Sequence, residues 1–121
     1  MYKNFGDFIK VKRIEREITL RKMAKLLDIS AAFLSDIEKD RRNPLDIERL
    51  NKLTTILSLS SEEKSLMFDL AGEKRDEVAP DIPDYVKGRD FVVAALRTAR
   101  DLEVGEEEWQ QFVEDLKKRK G

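Results

Sequence analysis

The 121-residue sequence contains no cysteine and no histidine. The first absence removes disulfides and thiolate metal sites. The second removes the commonest general base and the commonest zinc ligand. Carboxylates and lysines remain, but nothing pairs them as a nucleophile with its base, and no glycine-rich loop or metal-ligand cluster is present, so neither an enzyme nor a cofactor is expected. No run of about 18 apolar residues occurs, and no apolar stretch follows the N-terminus. The chain is therefore expected to be soluble and cytoplasmic, with no membrane contact. Strand signals are missing as well, since no segment alternates apolar and polar residues with β-branched enrichment.

Charged residues make up 40% of the chain and hydrophobic residues another 40%, which suits a small helical protein with a modest core. The net charge of −1 conceals an asymmetry. Residues 1–75 carry 16 Lys+Arg against 13 Asp+Glu, whereas residues 76–121 carry 8 against 12. Only charges on a docking face neutralise phosphates, so placement matters more than this total.

Helical periodicity runs through the chain. Phe5, Phe8 and Ile9 define a first helix, with Arg13 one turn further along. Thr19 is placed to cap a second helix carrying Leu20, Met23, Ala24 and Leu27, and Ser30 a third carrying Phe33, Leu34 and Ile37. Asp46 opens a fourth through Leu50, Leu53 and Leu57, and Ser60 with Glu63 forms a capping box for a fifth that Gly72 should stop. The mixed-charge stretch around Pro80 and Pro83 reads as a stiff linker, which we place at residues 75–88 between an N-terminal domain (1–74) and a C-terminal helical region (89–121). In that last region Phe91, Val92, Ala95, Leu96 and Ala99 recur at helical spacing. After Val104–Gly105 a final helix begins with three glutamates, carries Trp109, Phe112, Val113 and Leu116, and ends on KKRK. Two helices this short are not stable alone. Phe91, Leu96, Trp109 and Phe112 are accordingly either core or an interface for a second subunit or another protein.

The informative stretch is LRKMAKLLDISAAFLSDIEKDRRNP, residues 20–44. Two short amphipathic helices separated by three residues match helix-turn-helix spacing. Ala24 stands where the helices would cross, Ile29 is placed to plug the turn, and a charged loop stopped by Pro44 follows. Together with FGDFI, FLSDIEKDRRNP and LNKLTTILSLS, these residues make positions 5–71 resemble the Cro/C-repressor (Xre-type) helix-turn-helix domain. The fold implied is all-α: a five-helix lambda-repressor-like domain followed by the linker and the C-terminal helical pair.

The resemblance also implies roles. Base edges would be met from the start of the third helix, at Ala31, Ala32, Phe33, Ser35 and Asp36. Gln, Arg or Asn is commoner there, and the alanines favour close approach and thymine methyls over hydrogen-bond readout. Phe33 has a competing reading as core, and Asp36 as a solvated charge. Phosphates would be met by Thr19, Arg21, Lys22, Lys39, Arg41, Arg42 and Asn43. Arg13 and Glu38 would form a structural pair. Val11–Lys12 and Glu17 depart from the family pattern, Glu17 standing where glycine is frequent, so the turn before the second helix is expected to differ. The implied function is a sequence-specific regulator of transcription, read as a repressor, that binds double-stranded DNA as a homodimer. One alternative is an antitoxin that autoregulates through this domain and grips a toxin with its C-terminal helices. Another is an interaction module that has lost DNA binding.

Overall fold

The computed structural model describes residues 1–120, and every regular element among them is helical. The helices are α1 (Phe5–Glu15), α2 (Leu20–Leu26), α3 (Ala31–Glu38), α4 (Ile47–Ile56), α5 (Ser61–Arg75), α6 (Asp81–Val86), α7 (Asp90–Asp101) and α8 (Glu106–Lys120). The first five begin where the sequence supplies an acceptor. The side chains of Asn4, Thr19, Ser30, Asp46 and Ser60 accept from the backbone N–H of Asp7, Lys22, Phe33, Arg49 and Glu63 at 2.8–3.1 Å. Glu63 returns the bond, accepting from Ser60 N at 2.9 Å, which completes the capping box.

Helix ends use almost no glycine. Glu17, Asp28, Asp40, Ser58, Asp76 and Glu103 instead adopt left-handed φ angles of 50–62°. After each, the next N–H reaches back to a carbonyl in the last turn; Ile18 N to Arg13 O, Ile29 N to Ala24 O and Leu59 N to Thr54 O are examples, at 3.0–3.1 Å. Ile18 and Ile29 pack on the core and Leu59 is buried, so an apolar contact follows the strained residue and offsets its cost of roughly 1–2 kcal/mol. The turn expected to differ at Glu17 therefore keeps the left-handed form a glycine would give it.

The described chain divides into two compact units, Met1–Tyr85 and Val86 onward. In the first, Phe5, Phe8 and Ile9 of α1, Met23, Ala24 and Leu27 around α2, Leu34 and Ile37 of α3, Leu50, Leu53 and Leu57 around α4, and Met67, Phe68 and Ala71 of α5 form one core. Gly72 does not stop α5. It is buried inside the helix, where an added Cβ would stand 2.8 Å from Glu77 O and 2.9 Å from Ala79 Cα. Its role is to let residues 77–79 close onto α5, and the helix ends three residues later. The segment expected as a linker, 75–88, contains the short helix α6, and the compact unit continues to Tyr85 rather than 74. In the second unit no residue from Val86 to Arg119 is buried. Among the described residues, no helix is long and apolar enough to cross a membrane.

Candidate nucleic-acid interface

Backbone proximity and one ion pair position α3. Gly6 of α1 lies against the carbonyls of Ile37 and Glu38; its missing Cβ would be 2.8 Å from Glu38 O. Arg13 donates from Nε to one carboxylate oxygen of Glu38 at 2.8 Å and from Nη2 to the other at 3.0 Å, while Nη1 donates to Ile18 O at 2.9 Å. Both side chains are nearly enclosed, with exposures of 11% for Arg13 and 5% for Glu38. This two-point geometry fixes an angle as well as a distance. Ala24 and Leu34 are buried between α2 and α3, and Ile29 packs beneath the turn. Arg49 of α4, not singled out from the sequence, locks that turn: its Nε donates to Leu27 O at 2.8 Å, and Asp46 holds the guanidinium at 3.0 Å.

The other side of α3 is open. Ala32 is exposed; Ala31 and Ser35 are half-buried. Phe33 follows its core reading in part. One side packs on the core, and the other carries the Arg42 guanidinium 4.8 Å from the ring centroid. Asp36 is not merely solvated. Its carboxylate lies 3.4 Å from Arg42 Nε and 3.9 Å from Arg41 Nη1. These exposed pairs are weak, but they bring both arginines onto the face that bears Ala32. In the free protein Asp36 is thus occupied by the arginines expected to meet phosphate. Thr19 is spent as an N-cap although exposed, and Arg21 and Lys22 project from the first turn of α2. Lys39 is exposed at the end of α3, and Asn43 is exposed in the loop.

That loop is clamped from α5, a feature the sequence reading missed by stopping the helix at Gly72. Lys74 Nζ donates to Asp40 O at 3.2 Å and pairs with its carboxylate at 3.1 Å. Arg75 Nη2 donates to Pro44 O at 2.5 Å and Leu45 O at 2.7 Å. A basic doublet in the last turn of a helix was the available signal.

Lys12 is also resolved. It is buried beside the Tyr2 and Phe8 rings, its ammonium 2.5 Å from Glu63 Oε2 and 3.4 Å from Glu15 Oε1. Hydrogen bonding to Glu63, then to Tyr2, raises the Lys12 pKa, and Glu63 falls from about 4.5 to about 2 through the Lys12 hydrogen bond and the Ser60 N–H. A depressed carboxylate stabilises the fold above its ordinary pKa, and that contribution is lost as pH falls towards the folded value. Glu63→Gln should therefore cost about 1 kcal/mol at neutral pH, discounted for partial exposure. In urea melts from pH 7 to pH 2 the gap from the parent should hold down to about pH 4.5 and then close; a gap independent of pH would contradict the assignment.

Phe91, Leu96, Trp109 and Phe112 lie in the second unit, with exposures of 73%, 44%, 40% and 53%. Within this single chain Trp109 and Phe112 are not core. Their rings make an edge contact at 6.1 Å, and about half of each side chain is left open.

Residues 9–64, from the middle of α1 into α5, match the helix-turn-helix family, a DNA-binding regulatory domain. No curated protein and no solved structure gives a significant match to the chain.

Proposed function

We propose, from the premise that its N-terminal domain belongs to the Cro/C-repressor (Xre-type) helix-turn-helix family, that this DNA-binding regulator is a sequence-specific repressor acting as a dimer, with α3 in the major groove. One observation carries the reading. The exposed Ala32 side of α3 and the cations Arg41 and Arg42 occupy one face, joined through Asp36. Small residues admit the helix deep into a groove, and thymine methyls are the base feature they fit. Cations at the helix's far end then meet the backbone, contributing affinity and register but no sequence information. One such module buries too little surface for tight specific binding, which supports two copies on half-sites about one helical turn apart. A second reading keeps DNA binding for autoregulation and gives the uncovered C-terminal helices to a toxin; the absence of buried residues from Val86 to Arg119 favours it.

The experiment is selection of bound duplexes from a random pool, followed by titration of the winner at several salt concentrations. Arg41→Ala with Arg42→Ala should weaken binding to selected and unrelated duplexes alike and reduce the log–log salt slope by about 2. Ala32→Glu should weaken the selected duplex about ten-fold or more while the melting temperature stays put. Normal binding by Ala32→Glu would remove α3 from the groove, and an unchanged salt slope would remove the arginines from the phosphates.

A further inference from the structure

The unit beginning at Val86 has apolar stripes on α7 and α8 and covers each only in part. Helices of 12 and 15 residues with no fully buried residue are marginal in water. The order of residues along α8 identifies its cover. About the midpoint between Phe112 and Val113, Trp109 mirrors Leu116, and the acids Glu106, Glu107 and Glu108 mirror the bases Arg119, Lys118 and Lys117. The apolar pattern is retained on reversal and the charges at the two ends change sign, while Glu114 and Asp115 mirror the neutral Gln111 and Gln110.

At 3.6 residues per turn, Trp109, Phe112, Val113 and Leu116 share one stripe. Glu106 and Lys117 border it on the Val113 side; Glu108 and Arg119 border it on the Phe112 side. Rotating a second helix end for end about a two-fold axis through the midpoint brings each feature to its complement. Trp109 meets the partner's Leu116, and Phe112 meets the partner's Phe112. Glu106 comes opposite the partner's Lys117, and Glu108 opposite the partner's Arg119. Such a contact is self-complementary, as a two-fold interface requires. Parallel pairing would instead set glutamates on glutamates.

We infer that α8 is a homodimerisation element that pairs antiparallel with α8 of a second copy. The four apolar residues are 40–53% exposed. Among the described residues Glu106, Glu108, Lys117 and Arg119 form no ion pair within the chain; Glu106 accepts only from Gln110, and Glu108 only from Gly105 N. The helix dipole by itself favours acids first and bases last; what it does not fix is that Glu106 shares one border of the apolar stripe with Lys117 and Glu108 the other with Arg119, the placement that a second copy complements. The pairing gives the dimer of the proposed function its contact and rests on that reading only for its purpose, since it forms without DNA.

The test is sedimentation equilibrium on the full chain without DNA. The parent should approach twice the chain mass as concentration rises through the micromolar range. Glu106→Lys and Lys117→Glu, each placing like charges opposite one another at two symmetric positions, should each weaken dimerisation about ten-fold. The double variant Glu106→Lys/Lys117→Glu should restore it, and so should an equimolar mixture of the two single variants. These positions are eleven apart on one helix, so no contact within the helix produces that rescue. A monomeric parent, or single variants without effect, or a double variant as weak as the singles, overturns the pairing. A monomer that still binds its selected duplex would leave the DNA reading standing, and a dimer that binds no duplex would do the reverse.

Discussion

Glu38→Ala should lose about 3–5 kcal/mol of folding stability, the usual cost of stranding one member of a buried ion pair. Arg13, 11% exposed in the parent, would lose two of its three hydrogen bonds. Its bond to Ile18 O keeps the guanidinium from swinging into water. For a unit of this size the loss corresponds to a fall in melting temperature of roughly 4–8 °C per kcal/mol, read by calorimetry. Glu38→Gln keeps an acceptor and should lose less. Arg13→Met with Glu38→Leu should recover much of the loss, because an apolar pair carries no desolvation cost. A Glu38→Ala variant that melted within a degree or two of the parent would mean that the pair is solvated and does not hold α3.

Gly6→Ala should also be severe, at about 3 kcal/mol, the upper end for overpacking. The new methyl would meet the carbonyls of Ile37 and Glu38, which are backbone and cannot rotate aside. Either α1 separates from the end of α3 or that end loses its last turn. Alanine's better helix propensity, less than about 1 kcal/mol near a helix start, does not offset this. Because the displaced element is α3, any folded fraction should bind its selected duplex more weakly than the parent does. Unchanged stability would show that α1 and α3 are not in backbone contact at Gly6.

The helical class and the starts of α2 to α5 were legible because they depend on local chemistry. A hydroxyl or carboxylate three residues ahead of an orphan N–H is visible in one dimension. So was the turn between α2 and α3, since Ala24 and Ile29 sit where a close crossing and a plug are needed. The end of α5 was not legible. Gly72 carries a stop signal when read locally, and only the return of residues 77–79 over the helix shows that the missing Cβ serves packing. Left-handed helix ends at Glu17, Asp28 and Ser58 escaped a reading tuned to glycine, because the apolar residue after each end (Ile18, Ile29 and Leu59) makes the strain tolerable.

The candidate site divides along the same line. Residue types and spacing alone settled that a small-faced helix follows a tight turn and precedes a run of cations. Sequence also set the mirrored charges of α8, a property of order that needs no coordinates. Tertiary structure alone decided that Arg41 and Arg42 reach back to Asp36, that Arg42 covers Phe33, and that Arg49, Lys74 and Arg75 hold the turn and the loop from α4 and α5. The physical reason is range. Caps and periodicity act within a helical turn, whereas these contacts join residues up to 34 positions apart, and only the closed core brings them within hydrogen-bonding distance.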